Sequence, residues 1–171
     1  MKIKIDFVTN SSSSSFLVAF SAPISALKDL NILNIDSERL ERVYSDCAHQ
    51  NPYIINPDSI SMLKMLTEQI QHGSFTGQPR YDLYEEKIAE EHGVNKYDLW
   101  SKYPDLYQKA KKLQQRANLR AAKKVAERFI KHNAGKFLYQ FNYGDENGQL
   151  EGRLEHDGTF RNVSFIQISQ H

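Results

Sequence analysis

Phe7-Val8-Thr9-Asn10-Ser11-Ser12-Ser13-Ser14-Ser15-Phe16-Leu17-Val18-Ala19-Phe20 sets five consecutive serines between two apolar, strand-like stretches. A flexible serine linker joins domains or trails from a terminus, whereas this run has strand sequence on both sides. Phe16 to Phe20 is continuously apolar, the pattern of a strand covered on both faces. Upstream, Ile3, Ile5 and Phe7 alternate with Lys2, Lys4 and Asp6, the period of a half-buried strand. The reading is therefore two strands within about residues 2–20, connected by a serine loop.

Beyond Pro23 the pattern turns helical. Asp36 or Ser37 can cap a helix running to about Ala48, and Asp58 can cap another to about His72, where Gly73 ends it. Tyr81 to His92 is a short acidic helix with Asp82, Glu85, Glu86, Glu90 and Glu91, closed by Gly93 and suited to meet a basic surface. Pro104 opens the longest expected helix, free of Gly and further Pro as far as Asn133, with an apolar row at Leu113, Ala117, Ala121, Val125 and Phe129. Period two then returns. Phe137, Tyr139, Phe141 and Tyr143 share a face, Asn147-Gly148 and Asp157-Gly158 mark turns, and strands run to Glu155 and Ile168. Strands at about 2–20, a helical region at about 36–134 and a three-stranded meander at about 136–170 give an α+β class. The expected architecture is a mostly antiparallel sheet of N-terminal and C-terminal strands, with the central helices packed on one face.

A chain of 171 residues, 40% of them hydrophobic, fits a single domain over 1–171. Its longest uninterrupted apolar run, Phe16 to Phe20, is far short of the ~20 residues that span a bilayer or the ~7–15 of a signal-peptide core. A cytoplasmic protein without a membrane partner is expected. Cys47 is the sole cysteine, which excludes an intramolecular disulfide and a cysteine zinc cluster and leaves core packing as its simplest role.

The opening, Phe7-Val8-Thr9-Asn10 followed by Ser11 to Ser15 and Phe16, resembles a large set of short bacterial and phage proteins that begin Phe-Val-Ser/Thr-Asn, then serines and an aromatic. No activity is established for that group, so the resemblance implies an origin more than a role. Glu155-His156 and the late His171 are loosely similar to an acidic-His pair and a terminal histidine in the same group.

Asn10 could start a turn from which Ser11, Ser12, Ser13, Ser14 and Ser15 present hydroxyls and unobstructed amides to a phosphate or carboxylate. The run lacks the glycines and lysine of the known phosphate loops, so a solvent-facing loop that satisfies its own backbone is the plainer reading. A serine nucleophile would need an oriented base, and no Gly-x-Ser-x-Gly elbow is present.

Residues 101–136 hold eleven Lys or Arg against two carboxylates, a local balance of +9 that leaves −8 for the rest. Lys112, Arg116, Arg120, Lys124 and Arg128 recur at i+4, a positive ridge of about 24 Å at ~1.5 Å per residue. Like charges four apart repel by a few tenths of a kcal/mol. A phosphate backbone could compensate, or the acidic helix could, or the face could simply be solvated.

Glu155-His156 invites a catalytic or metal reading, but strand pairing across Asp157-Gly158 would hold His156 and His171 about 36 Å apart at ~3.3 Å per residue. Asp145, Asn147, Gln149 and Glu151 fit a hairpin turn better than a calcium loop. Tyr97, Trp100, Tyr103 and Tyr107 read as core packing. No nucleotide fingerprint or metal motif occurs, and no cofactor or metal is expected. The leading expectation is a binding protein for an anionic partner, nucleic acid or nucleotide, through the serine run and the ridge. The alternative is a protein-interaction module acting on host machinery, and the third reading is an enzyme using the serines or Glu155-His156.

Overall fold

A computed structural model describes residues 13–25, 27–144 and 148–170. The expected strand at residues 2–7, together with Asn10, Ser11, Ser12, Asp145, Asn147 and His171, lies outside the described residues. The class is α+β: a five-stranded antiparallel sheet among the described residues, in the order β2-β4-β1-β5-β3, with helices against it.

β1 (Ser13–Phe20) is the central strand. It pairs antiparallel with β4 (Phe137–Gly144), from Ser13 opposite Gly144 to Phe20 opposite Phe137, and with β5 (Ser164–Gln170), from Ser13 opposite Gln170 to Ala19 opposite Ser164. Two-residue strands finish the sheet, β2 (Tyr53–Ile54) beside β4 and β3 (Ser74–Phe75) beside β5. The terminal strands therefore come together as expected. Ser13 to Ser15, however, are strand and not loop, because β1 needs their backbone to match the full length of both neighbours.

The helices cover both faces of the sheet, which corrects the expectation of one. On one side Leu17, Ala19, Leu138, Ile166 and Ile168 meet α2 (Ile60–Gln71) and α5 (Pro104–His132). On the other, Phe16, Val18, Phe20, Tyr139, Phe141 and Tyr143 meet the 3₁₀ segment Leu27–Leu33, α1 (Ser37–Ala48) and the segment carrying Leu154 and Phe160. A strand apolar on both faces must be buried on both.

Local chemistry sets the helix limits. The Asp36 carboxylate caps α1 by accepting from Arg39 N at 3.1 Å, while Ser59, one residue past the expected Asp58, caps α2 by accepting from Met62 N at 3.2 Å. α3 (Leu83–His92) ends at Gly93, whose φ of 64° is a left-handed stop. The buried line of α5 runs through Ala110, Gln114, Ala122, Ala126, Phe129 and Ile130, one residue round from much of the expected row. Ala122 and Ala126 bring α5 close to Leu66 and Ile70 of α2.

The middle strand of the expected meander is instead a helix, α6 (Gln149–His156). Gln149 to Glu155 are mostly good helix formers, and an i,i+4 spacing places Leu150 and Leu154 together against the Phe160 cluster. Its place between β4 and β5 is taken by β1. Tyr97, Trp100 and Tyr103 are also corrected, for they are 76%, 70% and 39% exposed. They span a 3₁₀ turn, the four-residue α4 (Leu99–Lys102) and the restart at Pro104, so their spacing does not describe one helical face.

Cys47 is buried, and desolvation, followed by the nearby Asp46 charge, pushes its thiol up to about 12. Burial likewise raises the Tyr143 hydroxyl. Both groups stay neutral in the folded chain at a pH where the unfolded chain releases protons. The Cys47 contribution is complete below pH of about 9 and lost as pH climbs toward about 12, and that of Tyr143 starts to fall only above its ordinary value of about 10. The expected result is an alkaline fall in the urea midpoint over that range. Cys47 should also label with a thiol reagent at pH 8 only as fast as the chain opens, and rapid labelling of the native protein would contradict its burial.

Candidate anion-binding ridge

α5 is 29 residues long, about 43 Å at ~1.5 Å per residue. Lys112, Arg116, Arg120, Lys124 and Arg128 are all exposed on it. Two alternatives, an external polyanion or internal pairing with the acidic helix, can be compared bond by bond. Glu91 and Glu85 of α3 take Lys109 at 3.7 Å and Lys111 at 3.2 Å. Asp82 and Glu86 are held by Lys96 at 2.9 and 3.0 Å and by Arg80. The acidic helix therefore engages the start of α5 on a different line. Among the described residues no carboxylate reaches any of the five ridge cations.

The ridge borders two depressions. Lys112 and Arg116 line a cleft of about 440 Å³ with Gln71 and His72 at the end of α2. Arg128 lines a second of about 510 Å³ against β5. Its guanidinium donates from Nε to Lys124 O at 3.3 Å, which steadies the stem.

The serine run does not join this surface. Ser14 is 2% exposed and donates from Oγ to Glu155 Oε1 at 2.8 Å, while Gln167 Nε2 donates to the same Oγ at 3.2 Å. Ser15, buried on the other face, donates to Asn142 Oδ1 at 2.7 Å. An anion has no open approach to either hydroxyl, so the expected nest is corrected at Ser13 to Ser15 to a polar end of the central strand.

The structure does bring Ser14 and Glu155-His156 together, across 141 residues. Glu155 is 3% exposed, and its Oε2 lies 3.5 Å from His156 Nε2 without hydrogen-bond geometry, so that oxygen has no bonded partner among the described residues. The carboxyl group, not the imidazole, meets the serine hydroxyl, and both are closed to solvent. That is an arrangement for holding α6 to β1 and not for nucleophilic attack.

Compared with known protein families, curated proteins and solved structures, the chain has no match in any of the three. Function must be read from its own surface chemistry.

A second polar cluster escaped the sequence reading. Arg42 meets Glu151 at 2.8 Å and Asp46 at 3.2 Å, and Asp46 accepts from the Tyr143 hydroxyl at 3.0 Å. Burial raises the Glu151 carboxyl and Arg42 opposes that rise. The i,i+4 Arg42-Asp46 pair was visible in sequence, but Tyr143 on β4 and Glu151 on α6 join it only through tertiary packing. These groups satisfy one another, and Glu151 belongs to this pairing and not to a calcium loop. Groups of three or more potential metal ligands are absent among the described residues.

Proposed function

We propose that this is a small binding protein for a polyanion, a single-stranded nucleic acid above all, docked along Lys112, Arg116, Arg120, Lys124 and Arg128. The observation that carries the reading is five exposed cations in one helical row with no carboxylate partner among the described residues. A row of this kind gains most from phosphates, whose neutralisation releases condensed counterions. The exposed Tyr97, Trp100 and Tyr103 precede the same helix directly and offer rings on which unpaired bases can stack. No helix among the described residues is long and apolar enough to cross a membrane, and a cytoplasmic bacterial or phage setting is part of the proposal.

The test is binding of a labelled 20-nucleotide oligomer over a salt series, with the duplex alongside. Replacing Arg116, Arg120 and Lys124 with glutamine should lower the log–log salt slope by about 2, at ~0.7 per phosphate contact on a single strand. Trp100→Ala should weaken the single strand by about 1–3 kcal/mol and leave the duplex nearly unchanged. Unaltered binding by a folded triple variant would overturn the reading.

A further inference from the structure

The two long edges of the sheet are finished differently. On β4, the strand β2 covers Phe137 and Leu138, and beyond it the Gln50 side-chain amide acts in place of a strand. Gln50 Nε2 donates to Gln140 O at 2.7 Å and Gln50 Oε1 accepts from Gln140 N at 2.9 Å. On β5, β3 covers only Ile168 and Ser169. Gly73 lets β3 come this close, since a Cβ there would lie 2.6 Å from both Ile168 Cγ2 and Ser169 O. The chain then leaves the sheet. Gln78 Oε1 accepts from Phe75 N at 3.3 Å, and Gly77 turns at a φ of 94°. Ser164 to Gln167 are thus left without an outer strand among the described residues, an edge of about 13 Å at ~3.3 Å per residue.

A groove of about 510 Å³ follows that edge. Arg128 and His132 of α5 form one wall, Phe165, 36% exposed, lies on the opposite face of the strand, and no carboxylate lines it. The wall is fixed to the edge, because buried Asn133 donates from Nδ2 to Phe129 O and to Ser164 Oγ, both at 2.8 Å.

We propose that this edge is a docking site for an extended acidic peptide, which adds a strand to β5 and sets its carboxylates on Arg128 and His132. Unpaired strand edges are templates for strand addition, in which main-chain bonds supply affinity and flanking side chains supply choice. The charge of the wall selects the occupant. A second copy pairing its own β5 here would bring the two Arg128 side chains onto one interface, which like charges oppose. The site is distinct from the nucleic-acid reading and shares only Arg128 with it.

The test pans a displayed library of random 12-residue peptides on the full chain, then follows recovered peptides by amide hydrogen exchange and binding. Expected are sequences alternating Asp or Glu with apolar residues, slowed exchange of amides within Ser164 to Gln167, and at least ~10-fold weaker binding, about 1.4 kcal/mol, in the Arg128→Glu, His132→Glu variant. Both positions are exposed, and circular dichroism confirms that the variant is folded. The Lys112→Gln, Arg116→Gln, Arg120→Gln variant should lose oligonucleotide and keep the peptide, so the two readings fail separately. The proposal is overturned by an empty selection, by binders without acidic bias or indifferent to the reversal, by edge amides already slow in the free chain, or by a concentration-dependent dimer that protects them.

Discussion

Phe160→Ala is expected to lower the unfolding free energy by about 3–5 kcal/mol. The Phe160 ring is 1% exposed, with its centroid 4.8 Å from Phe141, 5.2 Å from Phe16 and 6.4 Å from both Tyr143 and Phe165. It arrives from the segment after α6 and touches three neighbouring strands at once. Those strands are fixed in register by their ladders, so their side chains cannot collapse into the vacated volume, and the cavity cost adds to the lost burial. Since a domain of this kind holds about 5–15 kcal/mol in total, the variant should be near its unfolding threshold. Urea denaturation followed by circular dichroism measures it, with an unchanged m-value showing that the unfolded state is the same. A loss below about 1 kcal/mol would remove Phe160 from the centre of this core.

The second large effect concerns the serine run. Ser14→Ala should cost about 1–3 kcal/mol, the penalty of leaving a buried acceptor without its donor, because Glu155 Oε1 loses the hydroxyl at 2.8 Å while its Oε2 is already unbonded. The Ser14→Ala, Glu155→Leu double variant should recover most of that loss, since no buried carboxylate is then stranded and only the part-buried Gln167 amide, which also donated to Ser14 Oγ, must turn to water. The four proteins form a double-mutant cycle whose coupling energy is the observable. A solvent-facing serine loop predicts no loss and no coupling. Additive effects near zero would therefore restore the loop and return Ser14 to the list of accessible groups.

The α+β class and the pairing of the terminal strands were legible because Phe16 to Phe20 and the row Phe137, Tyr139, Phe141 and Tyr143 carry unambiguous period-two or doubly apolar patterns. Limits of α1, α3 and α5 followed from Asp36, Gly93 and Pro104, whose chemistry is local. Gln149 to Glu155 misled because two glycine turns bracketed them, and those turns suit a helix with loops as well as a hairpin. The exposure of Trp100 depended on a four-residue helix and a phase reset at Pro104 that no periodicity reveals. The ridge cations could be placed on one helix from their spacing. Which line of α5 the acidic helix would engage was a matter of tertiary packing, as was the meeting of Ser14 with Glu155, two residues with no sequence signal linking them.

The central position of β1 also has a consequence for how the chain reaches its native state. Its partners lie more than 110 residues later, β5 starting only at Ser164, so the contact order of the sheet core is high and its closure is expected to be slow. During synthesis at ~5–20 residues per second, Phe16 to Phe20 would wait roughly 8–30 s between emerging and finding β5. For most of that interval, until β4 also emerges, the longest apolar run of the chain waits without either of its two long partners. Chaperone dependence during expression, relieved by slower growth at low temperature, is the practical outcome of putting so early a strand in the middle.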